Sequence, residues 1–356
     1  MTAAKTVAAM PNPALDRILV GMSGGVDSSV CVQILRDQGF AVEGAVIRFS
    51  PAHDKAVEEA KKVAAQLGVP LRVLDCEDRF NEAVIRPFCD SYCKGRTPNP
   101  CVLCNPAVKF KTMCDAADEM GIRYIASGHY ARIAETPHGF AVQKAVSTAR
   151  DQSYMLYRLP QEILSRLCLP LGEFEKPAIR EMAREMGLCC ADAPDSQEIC
   201  FIPDGDYAGY IQAHGYAGLE GWFIAPDGKR LTPHKGVMHY TVGQRKGLGL
   251  SLNRPAFVKR ICDNGDIQLG FSGDEFYDGI TLSGVVAPLK PFAAGEQYEI
   301  KIRSVATPVA CTIVDVSDDR LALRFAEPAR APAPGQSAVL YHGDIVTGGG
   351  FIEDMI

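Results

Sequence analysis

The chain has 356 residues, 47% of them hydrophobic, and a formal net charge of −6. That is material for two or three packed domains, and no apolar run reaches the length needed to span a membrane. The acidic balance argues against a general polyanion binder, although Lys94/Arg96, Lys109/Lys111 and Arg245/Lys246 can supply local phosphate contacts.

In chain order, residues 1–15 carry a lone Lys5 and the short run Val7–Met10, too short for a signal-peptide core; we expect a disordered leader and a cytoplasmic protein. Next, Ile18–Gly21 reads as an apolar strand that breaks into a Ser/Gly turn and becomes a helix from Val26. Gly24 and Gly25 lack the Cβ that would keep backbone from an anion, and Ser23, Ser28 and Ser29 add hydroxyls beside the free amides of a helix start. The turn reads as a phosphate cradle, although neither G-x-x-x-x-G-K-[ST] nor G-x-G-x-x-G is present. Further alternation follows: strand Ala41–Ile47, helix Ala56–Leu67, strand Leu71–Leu74, amphipathic Arg79–Tyr92, a polar Pro-rich loop Lys94–Asn105, helix Val108–Met120 and strand Arg123–Ser127. Such alternation implies a doubly wound parallel sheet, with ligands outside the carboxyl ends of its strands, where the Ser-Gly-Gly turn, Ile47 and Gly128-His129 would meet. Residues 155–215 read as helical, Lys176–Met186 most clearly, and short β-branched runs after Gly221 suggest one or two small β-barrels. The expected division is a catalytic α/β domain over 16–165, onto which 195–212 packs back, a connecting domain over 166–278 that is helical and then β-rich, and a C-terminal β-barrel over 279–356.

Thirteen cysteines in such a chain are expected to be mostly reduced, so a clustered pair invites a metal or redox explanation before a disulfide. Cys101 and Cys104 stand three residues apart, a spacing that lets two thiolates face one metal or each other. Cys200, at the polar approach to the apolar tip Phe201-Ile202, is a third candidate. Cys31, Cys114, Cys168 and Cys311 sit among apolar residues and read as core fillers. A structural zinc would need a fourth ligand, for which Cys89 and Cys93 are the nearest reserves.

The turn Ser23-Gly-Gly-Val-Asp-Ser28 resembles the loop of the PP-loop ATP pyrophosphatases, which split ATP between the α- and β-phosphates and adenylate an acceptor oxygen. Five further motifs follow in order: Gly95-Arg-Thr-Pro-Asn-Pro-Cys-Val-Leu-Cys-Asn105, Ser127-Gly-His-Tyr-Ala-Arg132, Asp151-Gln-Ser-Tyr154, Asp195-Ser-Gln-Glu-Ile-Cys-Phe201 and Thr241-Val-Gly-Gln-Arg-Lys-Gly-Leu-Gly249. Together they resemble the tRNA-specific 2-thiouridylase family, and Pro334–Tyr341 extends the similarity nearly to the C-terminus. The resemblance implies ATP, with Mg²⁺, on Gly21, Met22, Ser23, Gly24, Gly25, Val26, Asp27 and Ser28, with Ile47 and Gly128 completing the nucleotide site. It implies that Cys200 carries a persulfide delivered by a sulfur donor protein such as a cysteine desulfurase or relay protein, and that Cys104 acts on it, forming a disulfide. The target would be the wobble uridine of a tRNA anticodon loop. Asn99, Pro100 and Cys101 would lie beside the target base, with His129, Arg150, Asp151, Gln152, Arg303, Ser304 and Gln336 contacting the tRNA.

Cys101 departs from the family, where many relatives carry Asp. Cys101, Cys104 and Cys200 around one point suit an iron–sulfur (4Fe–4S) cluster with an open iron that holds sulfide, so a cluster and a persulfide remain alternative sulfur carriers. Arg303-Ser304 is a second departure, because relatives tend to have an aromatic residue after the Arg. Two other readings stand beside thiolation: an amide-forming PP-loop ligase of the argininosuccinate or GMP synthetase kind, which needs no cysteine, and a nucleotide- or RNA-binding module without turnover.

Overall fold

The computed structural model describes residues 16–194 and 199–356; the leader expected at residues 1–15 and the Asp195–Glu198 part of the fifth motif lie outside them. Five strands form the first sheet: β1 (Arg17–Gly21), β2 (Ala41–Arg48), β3 (Leu71–Asp75), β4 (Tyr124–Ser127) and, after the hairpin β5 (Arg132–Thr136)–β6 (Gly139–Gln143), β7 (Leu167–Cys168). They lie in the order β3-β2-β1-β4-β7 with every pairing parallel. The central strand β1 has Ile18, Leu19 and Val20 fully buried, as a parallel strand covered on both faces requires. On one face α1 (Val26–Asp37) packs Val30, Val32 and Leu35 into the core. α2 (Asp54–Leu67) turns Val57, Ala60, Val63 and Ala64 inward.

The other face is covered by α3 (Glu77–Phe80), α4 (Arg86–Cys93), α5 (Pro100–Cys104) and α6 (Phe110–Glu119), whose Phe80, Phe88, Phe110 and Met113 are buried. Each such aromatic side chain removed from water contributes about 1.5–3 kcal/mol before conformational entropy is set against it. Short π-helical turns over Asn81–Ile85 and Asn105–Lys109 join α3 to α4 and α5 to α6. Three smaller helices follow: α7 (Gln161–Leu164), α8 (Lys176–Glu185) and α9 (Tyr207–Ala213).

Two expectations need correction. Cys101 and Cys104 lie on a helix, not in a loop, because Pro100 occupies the first helical position and the Asn99 side chain accepts the Cys101 N–H at 3.2 Å. Residues 155–215 are only partly helical: Leu167–Cys168 adds the fifth strand to the sheet, and α8, the clearest prediction, ends at Gly187 with φ of +61°.

β8 (Trp222–Ile224), β9 (Arg230–Pro233), β10 (Ala256–Ile261) and β11 (Ile267–Phe271) form a four-stranded sheet in the order β10-β11-β8-β9. The last strands are β12 (Phe276–Val286), β13 (Gln297–Lys301), β14 (Val309–Ser317), β15 (Arg320–Arg330), β16 (Ser337–His342) and β17 (Ile345–Met355). Their order β12-β15-β14-β13-β16-β17 closes on itself through β12–β17, and Ile280, Leu282, Ile300, Ile313, Leu323, Leu340 and Ile352 fill the interior. The β5–β6 hairpin attaches to this barrel where Gln143 pairs with Ile345. No helix among the described residues is long and apolar enough to cross a membrane.

Both β-units reach the segment that leads into the paired cysteines. Thr97 N–H donates to the Pro334 carbonyl at 2.9 Å, the Gln336 amide donates to the Thr97 carbonyl at 2.7 Å, and the Thr97 hydroxyl donates to Thr241 Oγ1 at 3.1 Å. Gly335 permits this approach: its φ is +91°, and a Cβ there would sit 2.9 Å from Thr97 N. Gly335→Ala should therefore lower unfolding stability by about 1–3 kcal/mol in urea titrations; an unchanged midpoint and slope would show that the junction tolerates a side chain.

Candidate active site: a Gly/Ser turn beside a thiol recess

The turn after β1 is shaped by its own serines. Ser23 N–H donates to Ser28 Oγ at 3.1 Å, Ser28 Oγ donates to the Gly25 carbonyl at 3.2 Å, and Ser29 Oγ reaches the same carbonyl at 2.7 Å. Gly24 has φ of +79°, and a Cβ there would meet Ala60 N at 2.8 Å. The α1 N-cap is Gly25, with no side chain capping the helix. Among the described residues the amides of Gly24, Gly25 and Val26 have no hydrogen-bond partner, which leaves convergent donors at a helix start. Met22 is buried and its N–H donates to the Ala45 carbonyl at 2.7 Å, tying the turn to β2, whose end places Ile47 nearby.

Asp27 neither caps α1 nor points at an empty site. Its carboxylate takes Lys176 Nζ at 2.7 and 2.8 Å and the Tyr130 hydroxyl at 2.8 Å. Lys176 is buried at the start of α8, so this pair fixes the turn against a helix far along the chain. Removing one partner from such a pair strands a desolvated charge. Gly128 closes the other side: a Cβ there would lie 2.9 Å from Asp27 C and from Ser28 N, so only glycine lets the β4 exit pack on the first turn of α1.

From Gly128 the chain passes directly to His129, whose Nδ1 shares a hydrogen bond with Ser127 Oγ at 2.8 Å and whose ring lies 5.6 Å from that of Phe110. Burial and the nearby Lys109 charge hold the imidazole well below its usual pKa, so it is neutral at pH 7. Lys109 in turn feels Cys104, Cys101 and Cys200 electrostatically, and burial pulls its ammonium below the usual lysine range. The three sequence-predicted cysteines are thus brought together around a lysine that motif reading had treated only as part of a surface phosphate patch. Its signal was the spacing Cys104–Lys109 across the π-turn, a device that re-aims side chains at functional sites.

Cys200 arrives from the opposite side on an exposed turn. Phe201 anchors it, with ring centroids 5.4 Å from Phe80, 5.3 Å from Phe88 and 5.3 Å from Tyr210. Cys101 and Cys200 are open to solvent and Cys104 half-buried, yet protein crowds all three enough to desolvate their thiolates, the mark of an open recess. Burial raises all three thiols, Cys200 to about 12, and mutual repulsion raises Cys104 and Cys200 further while Lys109 opposes it. Cys104 ends α5 and runs on in helical conformation into the π-turn Asn105–Lys109, so no free helix N-terminus acidifies it. All thirteen cysteines are free thiols.

Several residues expected at the tRNA surface make internal bonds. Asp151 accepts the N–H groups of Ala145 at 3.0 Å and Ser153 at 3.3 Å, and the Gln152 side chain accepts the Tyr130 N–H at 2.9 Å. The half-buried Arg303 donates to the carbonyls of Val242 at 3.0 Å and Ala331 at 3.1 Å. Arg150 is exposed, Ser304 is half-buried, and Gln336 belongs to the Thr97 junction. Pro100 is buried beneath the paired cysteines, and the Asn99 and Asn105 amides both reach Met155, at 3.2 and 2.9 Å.

Because burial holds the Cys200 thiol near 12, its alkylation by iodoacetamide should climb about tenfold per pH unit from pH 7 to 10 without a plateau. Peptide mapping that shows a plateau near pH 8.5 would mean that the recess leaves this thiol at its ordinary acidity.

Three family profiles divide the chain: "tRNA methyl transferase HUP domain" over residues 16–204, "tRNA methyl transferase PRC-barrel domain" over 209–267 and "Aminomethyltransferase beta-barrel domain" over 286–352. The chain is similar to the tRNA-specific 2-thiouridylase MnmA of Lachnoclostridium phytofermentans, 41% identical over 95% of this chain and 99% of the relative. It is equally similar to the protein of the same name from Clostridioides difficile, 41% identical over 95% and 98%. One solved structure, a predicted subunit of tRNA methyltransferase from Methanocaldococcus jannaschii, matches 48% of this chain and 75% of its own at 23% identity and a TM-score of 0.32. Matched end to end by such relatives, and by a profile over more than half its length, the chain belongs to the tRNA-specific 2-thiouridylase family.

Proposed function

We propose that this chain catalyses ATP-dependent 2-thiolation of a tRNA uridine, the wobble uridine of an anticodon loop, releasing AMP and pyrophosphate. The observation that carries this reading is the gathering of Cys101, Cys104 and Cys200 around Lys109, linked through His129 and Gly128 to the Gly/Ser turn. An amide-forming ligase on the same turn has no use for three thiols.

The uracil C2 carbonyl has no leaving group, so its oxygen must first become one. Attack of O2 on the α-phosphate of ATP makes an adenylate and expels pyrophosphate. The free amides of Gly24, Gly25 and Val26, with the Ser23 and Ser28 hydroxyls, stand where phosphate charge develops. Asp27, held by Lys176 and Tyr130, keeps the turn in shape, and Mg²⁺ entering with ATP would neutralise phosphate charge beside those hydroxyls. Neutral His129 suits a hydrogen bond to an uncharged base, which reaches the recess at least cost from a single-stranded loop.

For the second half-reaction, a sulfur donor protein loads Cys200, which is exposed on an anchored turn, as a persulfide. The Cys104 thiolate attacks Cys200 Sγ, hydrosulfide leaves, and a Cys104–Cys200 disulfide forms; the hydrosulfide attacks C2 and AMP departs. Lys109 stabilises whichever sulfur carries the charge. Cys101, Cys104 and Cys200 are ligands of the right kind for a 4Fe–4S cluster. Among the described residues no three Cys, His, Asp or Glu groups stand close enough to hold a single metal ion, and the Lys109 cation sits among the thiols. No step is routed through a cluster, and iron analysis of anaerobically purified protein distinguishes the two carriers. Such thiol chemistry belongs in a reducing compartment, in keeping with a cytoplasmic enzyme.

The two half-reactions should separate. Cys200→Ser, incubated with unmodified tRNA and ATP, should still release pyrophosphate but yield no 2-thiouridine by nucleoside analysis, a loss of about 10³-fold or more. Retention of full thiolation would favour a reaction that needs no cysteine. Absence of tRNA-dependent pyrophosphate release from the wild type would leave only a binding module.

A further inference from the structure

The reading above leaves each turnover with Cys104 and Cys200 joined, and Cys200 must be freed before another sulfur can be loaded. We propose that Cys101 is the resolving thiol that frees it. This rests on the persulfide reading of the site. The Cys101 thiolate attacks Cys104 Sγ of the Cys104–Cys200 disulfide. The bond between Cys104 and Cys200 breaks, a Cys101–Cys104 disulfide forms, and Cys200 leaves as a thiolate. This exchange is redox-neutral, and an external dithiol reductant then returns Cys101 and Cys104 to thiols, taking up the oxidation as its own disulfide.

Placement singles out Cys101. It lies one turn before Cys104 on α5, so the two side chains share a helical face, with Cα atoms at the one-turn separation that a disulfide can bridge. Its charge bears on both Cys104 and Cys200, so it lies near both sulfurs of the bond to be exchanged. Cys101 and Cys200 are both exposed and Cys104 half-buried, so moving the disulfide to Cys101–Cys104 keeps one of its sulfurs open to an external dithiol while it frees the exposed Cys200 for loading. Asn99 fixes its backbone through the bond to Cys101 N–H at 3.2 Å. The other thiol near Cys104, Cys76, is buried and directs its Sγ to the Arg48 carbonyl at 3.6 Å, so it does not compete. Phe201, packed on Phe80 and Phe88, keeps Cys200 within reach of the pair throughout.

The test is a disulfide map after one turnover. Wild-type protein, persulfide-loaded on Cys200, is given ATP and unmodified tRNA without reductant, quenched in acid, alkylated and digested. The expected map shows a Cys101–Cys104 disulfide with Cys200 alkylated. A persisting Cys104–Cys200 disulfide with Cys101 alkylated, alongside normal 2-thiouridine, overturns the inference and spares the persulfide reading. No 2-thiouridine, or no disulfide at Cys104, overturns both. In Cys101→Ser the disulfide should stay at Cys104–Cys200, and the steady-state rate at limiting dithiol should fall about tenfold further than the single-turnover rate. Equal losses in the two rates would assign Cys101 to the sulfur-transfer step instead. The wild-type map decides the matter even where the variant does not fold.

Discussion

Among the described residues, Lys109 is the cation that reaches all three thiols of the recess. Burial alone would leave Cys101, Cys104 and Cys200 protonated and inert, and each added negative charge there raises the others. A single ammonium, itself penalised by burial, can stabilise one thiolate or hydrosulfide at a time. That limit suits a relay in which charge passes from sulfur to sulfur. Burial, reinforced by the same charge, keeps His129 neutral, so the thiol recess and the imidazole after Gly128 share one electrostatic neighbour.

The surrounding architecture holds that centre in register with the turn. Two contacts that join distant parts of the chain set the geometry: Asp27 with Lys176, and Gly128 against Asp27 and Ser28. On the thiol side, the Thr97 junction fixes the entry to α5 from both β-units, and Asn99 and Asn105 bind it to Met155. The barrel therefore bears on the geometry of the thiol recess through Gly335 and Gln336.

Much of this was legible in the sequence. An apolar strand running into Ser-Gly-Gly has few other physical readings, and Ile18–Val20 needed no context to be recognised as a buried parallel strand. The cysteine spacing pointed to metal or redox chemistry, and the family resemblance alone narrowed it to sulfur transfer. Cys101 and Cys104 were misplaced in a loop because prolines flank the segment, although Asn99-Pro100 is itself a helix-start signal. Leu167–Cys168 is too short to show strand periodicity and becomes one only by pairing with β4. The roles of Gln336, Arg303 and Asp151 depend on carbonyls and amides 239, 61 and 6 residues away, information that no local pattern carries. Lys109 was read with Lys111 only as a local source of phosphate contacts, because only the fold reveals the thiols around it.

The central claim is that the Gly/Ser turn serves to turn a uracil oxygen into a leaving group for the sulfur held nearby. The most direct measurement labels the O2 of the target uridine with ¹⁸O and follows it through one round of thiolation. The account predicts that the label leaves in the phosphate of AMP as 2-thiouridine forms, with none in pyrophosphate. Label released to water, or AMP formed without it, would show that ATP is split for some other purpose and would contradict the account.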